Sequence, residues 1–166
     1  MTLISEKGTA SGQIDFIEKL YEFISSNAST IGWNALELTT ISSQRQATIQ
    51  IGSECYFTFS SATDDTTACR LYFRAHTSFT SGVVWKSQSG GAEIRGDSNN
   101  CGNQAISAPI SSTFAYYFYA DTNYFIFILS IPTGILSIGN CRETLFVWNC
   151  IVWVFLERHG KFKSMG

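Results

Sequence analysis

Residues 114–129 constrain the fold more than any other stretch of the chain. They read Phe-Ala-Tyr-Tyr-Phe-Tyr-Ala-Asp-Thr-Asn-Tyr-Phe-Ile-Phe-Ile-Leu, two aromatic and β-branched runs around the polar triplet Asp121-Thr122-Asn123. Such side chains suit a pleated, half-buried surface, and Asp/Asn residues between two such runs signal a hairpin turn. Asn123 tolerates the left-handed backbone that a short hairpin loop needs. A period of two places Phe114, Tyr116 and Phe118 on one face and Ala115, Tyr117 and Tyr119 on the other. On the second strand Phe125, Phe127 and Leu129 oppose Tyr124, Ile126 and Ile128. Neither face is polar. The hairpin is therefore expected to be covered on both sides, by this chain or by another copy of it.

The rest of the composition fits that expectation. The 166 residues suffice for one domain with a substantial core. Charged residues make up 14%, against about 25% in ordinary soluble domains, which fits either surface buried against neighbours or an ordinary β-rich domain with sparse charge. A net charge of −2 provides no basic footprint for nucleic acid or an acidic membrane. The apolar stretches 114–129 and 145–156 are both shorter than the roughly 20 residues of a membrane helix. Residues 1–12 are polar and do not read as a secretory signal. A soluble protein with no nucleic-acid or membrane partner is expected. The five cysteines include no Cys-x-x-Cys pair, and only two histidines accompany them. Scattered reduced thiols are expected, with no metal and no cofactor.

Along the chain, the first element is a helix. Ile14, Ile17, Leu20, Tyr21 and Ile24 follow a helical period, Phe16 and Phe23 widen the stripe, and Asp15, Glu18, Lys19 and Glu22 take the other face. Ser11 serves as N-cap and Ser25-Ser26-Asn27 ends a helix of about four turns that packs across a sheet. Trp33, Ala35 and Leu36 then lead into a polar stretch, 39–46, that reads as a loop or exposed turn. Residues 47–51 and 54–59 are short strands separated by Gly52-Ser53. Residues 69–75 alternate again, with Leu71 and Phe73 against Arg70, Tyr72 and Arg74. Long surface loops are expected between Ser60 and Pro109.

No set of titratable groups converges into a catalytic signature. His76 beside Arg74 marks a possible anion site at a strand end, against the plainer reading of a satisfied surface histidine. Glu93 and Asp97 form a loop carboxylate pair, but glycosidase chemistry needs a defined separation across a groove that sequence spacing does not give. The Ser/Gly loop 87–91 lacks the Lys of a phosphate loop. Asp97 and Asn99 near Gly102 do not match a calcium loop. The aromatic excess supports one binding alternative: Trp85, Tyr116, Tyr117 and Tyr119 as a carbohydrate platform, with loop Asn and Asp groups bonding hydroxyls. Core and interface packing explains the same residues.

The order of features resembles a family of small virion structural proteins of tailed bacteriophages and prophages. The likeness lies in the helix segment Asp15-Phe16-Ile17-Glu18-Lys19-Leu20, Trp33, the segment Leu71-Tyr72-Phe73-Arg74-Ala75-His76-Thr77, the aromatic hairpin and the turn Thr133-Gly134. It covers about residues 10–139. The resemblance implies an assembly role in tail, baseplate or neck, with other virion proteins or further copies of itself as partners. It also implies a place in the virion, after assembly in the bacterial cytoplasm, and carries no catalytic residues. After Gly139 the pattern changes: residues 141–155 are a hydrophobic run with two cysteines where Gly-rich turns are expected. One reading is a genuine added strand over 145–156. The other is a shifted reading frame over the last ~27 residues, because codons allowed for 139–145 can encode Glu-Ile-Val-Gly-Lys-Leu one base later.

The sequence thus predicts an α+β fold, an N-terminal amphipathic helix packed on a mainly antiparallel β-sheet with long loops. Residues 1–139 form the domain and 140–166 an atypical C-terminal segment. The expected function is non-enzymatic assembly as a homo-oligomer, with Trp85, Tyr116, Tyr117, Tyr119, Arg74 and His76 as candidate interface or sugar-platform residues. The alternative is a carbohydrate-binding module.

Overall fold

The helix α1, Gln13–Ile31, packs its apolar side into a core shared by two antiparallel sheets. The computed structural model describes residues 3–53, 55–61, 70–90, 104–108, 111–122, 124–130 and 151–157. For residues 70, 104–107, 124 and 151–157 it describes the backbone alone. The readings placed on Glu93, Asp97, Asn99, Gly102, Asn123 and the turn Thr133-Gly134 lie outside these residues.

Sheet A contains β1 (Ile4–Ala10), β7 (Phe114–Ala120), β8 (Tyr124–Ser130) and β9 (Ile151–Glu157), in that order. Sheet B contains β2 (Trp33–Ile41), β3 (Gln44–Ile51), β4 (Cys55–Ser60), β5 (Arg70–His76) and β6 (Gln104–Ser107), a five-stranded meander. The architecture is α+β, with the helix on a sheet as the sequence predicts.

The hairpin of β7 and β8 has the expected register, with Phe118 opposite Phe127 and Tyr116 opposite Leu129. Its inner residues Phe114, Tyr116, Phe118, Phe125, Phe127 and Leu129 are buried. Phe16 of α1 packs on Phe114, Tyr116, Phe118 and Phe127, with ring centroids 5.5–6.1 Å apart. Phe59 of β4 meets Phe127 edge-on at 5.9 Å, and Trp33 of β2 meets Phe125 at 5.9 Å. Tilted and edge-on rings at this spacing each add about 0.5–1.5 kcal/mol beyond the area they bury. Phe127 thus ties helix, sheet A and sheet B together.

The helix departs from expectation at both ends. Gly12 is the residue before its first turn, and Ser11 lies one position earlier. Asp15 reaches back to accept from the Ser11 backbone N–H at 2.8 Å and from the Ser11 hydroxyl at 3.2 Å. Asn27 does not stop the helix, because its amide donates to the Phe23 carbonyl within it. The stop comes at Gly32, whose φ of 68° is left-handed and whose N–H donates to the Ala28 carbonyl at 2.8 Å. Ile14 is half exposed, so the buried stripe centres on Phe16, Ile17, Leu20, Phe23 and Ile24.

Three further segments correct the sequence reading. Residues 39–46 are a β-hairpin, whose Ser42 and Ser43 have φ of 50° and 65°. Both central residues at positive φ match the turn that follows the strands' twist. The strand β6 pairs with β5 within the stretch expected as loop. The strand β1 precedes the helix in a segment that reads as polar, and pairs along its length with β7. Gly8 there lies under the Tyr116 ring, where an added Cβ would come within 2.6 Å of the phenol oxygen. At the other edge β9 pairs with β8 from Tyr124 opposite Glu157 to Ser130 opposite Ile151.

Candidate functional site

Two outward faces carry every candidate residue except Tyr116, and they differ in chemistry. On sheet A, register aligns Lys7, Tyr117 and Ile128 in one cross-strand row and Ser5, Tyr119 and Ile126 in the next. The β9 positions opposite Ile128 and Ile126 are Trp153 and Phe155. Tyr117, Tyr119 and Ile126 are partly exposed, and Ile128 is 9% exposed. An antiparallel sheet with one face on the core ordinarily alternates to a polar outer face. Here the centre of the outer face is aromatic and aliphatic.

On sheet B the outward rows are Gln50–Tyr56–His76, Thr48–Thr58–Arg74 and Gln46–Ser60–Tyr72. Residues 77–90 fold over this strip as a strap. Its ends meet, with the Thr77 N–H donating to the Gly90 carbonyl at 3.1 Å. A compact segment of this length with closed ends is an Ω-loop. Gln88, 3% exposed, knits it internally. Its carbonyl oxygen accepts from the Thr80 N–H at 2.8 Å, and its amide donates to the Thr80 and Val83 carbonyls at 2.9 Å each. A short 3-10 turn, Trp85–Ser87, lays the indole on Tyr72 at 5.2 Å and 20°.

The strap is fastened at several points. The Trp85 N–H donates to Gln46 Oε1 at 2.9 Å, and Arg74 Nη1 donates to the Lys86 carbonyl. From β2, the Glu37 carboxylate accepts the Ser81 hydroxyl and, at 3.2 Å, the Gly82 N–H. Beneath the strap runs a buried chain. Thr48 and Thr58 hydroxyls are 2.8 Å apart, Thr58 Oγ1 is 2.8 Å from His76 Nε2, and His76 Nδ1 is 2.6 Å from the Ser78 carbonyl. A carbonyl only accepts, so Nδ1 carries the proton, and in the neutral ring Nε2 accepts from Thr58. Tyr56 stacks on the imidazole at 5.7 Å and 12°, and Phe79 of the strap lies 6.5 Å from it. Burial, with the Arg74 charge nearby, lowers the His76 pKa below its ordinary 6.5, against the pull of the Ser78 carbonyl.

The structure therefore separates the six candidates into three places. Tyr117 and Tyr119 lie on the outward face of sheet A, partly exposed. Arg74, His76 and Trp85 come together around the strap, but His76 and Trp85 are buried, so neither offers a surface to a partner or a sugar. Tyr116 points into the core and donates from its hydroxyl to Glu6 Oε1 at 2.8 Å, so it is no part of a platform either. Burial and the Glu6 carboxylate push its pKa well up. Sequence reasoning missed Gln46, Thr48, Thr58 and Gln88. The alternation Gln46-Ala47-Thr48-Ile49-Gln50-Ile51 is the signal that one face of β3 is polar.

Among the described residues no three His, Cys, Asp or Glu side chains converge as a metal site, and no helix is long and apolar enough to cross a membrane. Comparison with protein-family models and with curated proteins returns no match.

Proposed function

We propose that the protein is a non-enzymatic structural component of a phage or prophage particle, which assembles into tail, baseplate or neck through the outward face of sheet A. One observation carries the reading: Tyr117, Tyr119, Ile126 and Ile128 form a contiguous apolar centre on the side of the sheet away from the core. Contiguous apolar surface on a folded domain marks an association site. Sheets stack face to face through side chains of this kind, about 10 Å apart, so a second sheet is the natural neighbour. The order of sequence features resembling virion proteins supplies the biological setting. Partners are other virion proteins or further copies of the chain.

Light scattering during size exclusion tests this. The purified protein is expected as a defined multimer, and Ile126→Lys, which places a charge at the centre of the face, as a monomer with an unchanged circular dichroism spectrum. A monomer in both cases at high protein concentration sinks the self-association reading. A second reading rests on the partial exposure of Tyr117 and Tyr119, which leaves two phenol rings on one flat face able to stack on sugars. Saccharide binding by a monomer, lost in Tyr117→Ala without loss of folding, would favour it.

A further inference from the structure

We propose that residues 77–90 are a proton-released strap: neutral His76 holds them on the outer face of sheet B, and protonation of His76 lets them lift as a unit while the core stays folded. The inference is independent of the assembly role.

The hydrogen-bond chain shows how the proton acts. In the docked state His76 Nδ1 donates to Ser78 at the root of the strap, and Nε2 accepts from Thr58. A proton added at Nε2 turns the acceptor into a donor that faces the Thr58 hydroxyl. Thr58 must then turn its own proton toward Thr48 Oγ1, and Thr48, 3% exposed, must turn its proton away. The chain holds one donor too many. The new charge sits in a site where His76 is 2% exposed, with Arg74 of like sign on the same strand. Lifting the strap returns the imidazolium to water.

Among the described residues, four more charged or titratable groups border the strap, one of them Tyr72 of β5 beneath Trp85. Glu37 of β2 holds the Ser81-Gly82 turn, Lys86 belongs to the strap, and Tyr56 of β4 stacks on the imidazole. The facing positions of β3 are Gln46 and Thr48, which do not titrate. No carboxylate among the described residues is bonded to the imidazole to stabilise its charged form.

Two features make release of the strap alone feasible. Gln88 and the Thr77–Gly90 closure keep its internal bonds intact as it moves. What it uncovers is the polar strip of Gln46, Thr48, Thr58 and Ser60, which water can hydrate, together with the rings of Tyr56 and Tyr72. In the docked state Gln46 Nε2 and Trp85 Nε1 are buried donors without a protein acceptor, so release also relieves those. The docked strap is thus held below its full hydrogen-bonding capacity.

The sign follows from linkage. The docked state disfavours the proton and the released state binds it at the ordinary value of 6.5. Release is therefore favoured as pH falls through 6.5 toward the lowered value, and is independent of pH above it. One proton gives at most about tenfold per pH unit.

Amide hydrogen exchange, expressed as protection relative to the unfolded chain, reads this directly between about pH 7.5 and about pH 5. Protection at Gly82 and Trp85, whose backbone N–H groups donate to Glu37 and Gln46 outside the strap, is expected to fall by up to about tenfold per pH unit, while α1, β7 and β8 keep theirs. In His76→Gln, which bonds without titrating, the fall is expected to vanish. In Glu37→Gln it is expected to persist. A pH-independent strap, an equal fall in His76→Gln, a fall abolished by Glu37→Gln, or a fall shared by the whole molecule would each overturn the proposal. Should His76→Gln not fold, proton NMR of His159→Gln leaves one histidine to follow. A shared midpoint for the His76 ring and the Trp85 ring resonances supports the strap, and separate midpoints refute it.

Discussion

The two sheets present opposite outer faces, and each is treated in the opposite way from what its polarity suggests. Sheet B turns out Gln46, Thr48, Thr58 and Ser60, groups that water would satisfy, and buries them under residues 77–90. Sheet A turns out Tyr117, Tyr119, Ile126 and Ile128, with Tyr117, Tyr119 and Ile126 still partly exposed. Burying hydroxyls and amides adds little stability even when they are bonded, and costs about 1–3 kcal/mol for each group left unpaired. Leaving an aromatic face open forgoes roughly 25 cal/mol per Å² of burial. The difference teaches that neither face is arranged for the stability of the isolated chain alone. On the two proposals made above, the polar face has a cover that comes off and the apolar face a neighbour that stays on.

The largest expected effect comes from the residue that the two halves share. Phe127 touches Phe16 of the helix, Phe59 of sheet B and Phe125 beside it. Phe127→Ala leaves a cavity where three layers meet and is expected to cost about 3–5 kcal/mol, read as a lower urea midpoint with unchanged slope. A cost below about 1 kcal/mol would mean that the sheets are stabilised separately.

Next in size is a change to the covered face. Thr58→Val keeps the shape and removes the hydroxyl that links Thr48 to His76. Two buried partners lose a bond, so a destabilisation of about 1–3 kcal/mol is expected. The same change removes the hydroxyl donated to Nε2, so the strap should lose protection at neutral pH as well as in acid. Unchanged exchange in the strap would show that Phe79 and Trp85 hold it by packing alone.

The two faces were not equally legible in the sequence. The β7–β8 hairpin is readable in register and in face, because alternate positions Phe114, Tyr116 and Phe118 on one strand and Phe125, Phe127 and Leu129 on the other carry large apolar groups. The strand β1 is not, since its inward positions include Glu6, Gly8 and Ala10, and Gly8 makes sense only once Tyr116 lies over it. Residue type marks Trp85 and His76 as candidates but does not reveal their exposure. What buries them is the strap, and its order comes from bonds between distant residues, such as Gln46 to Trp85 and Glu37 to Ser81. No local period encodes such bonds. The hairpin at Ser42-Ser43 was hidden for a related reason, because serine is not the residue that usually marks a turn with two positive φ values.

The smallest effect on the isolated fold belongs to the open face, and there the comparison is sharpest. Tyr117→Thr puts a β-branched residue, well suited to a strand, on an outward position and leaves the core ring stack of Tyr116 and Phe118 intact. In dilute solution its thermal midpoint should correspond to a change within about 0.5 kcal/mol, as for most surface substitutions. At high protein concentration the two proteins should diverge. A multimer stabilises the folded chain by mass action, so the wild-type midpoint should rise with concentration. The Tyr117→Thr midpoint should rise less or not at all, because the substitution removes apolar area only from the face between copies. A wild-type midpoint that is flat across a hundredfold concentration range would leave the open face without a second copy on it. The contrast between a cover and a neighbour would then have to rest on a different partner.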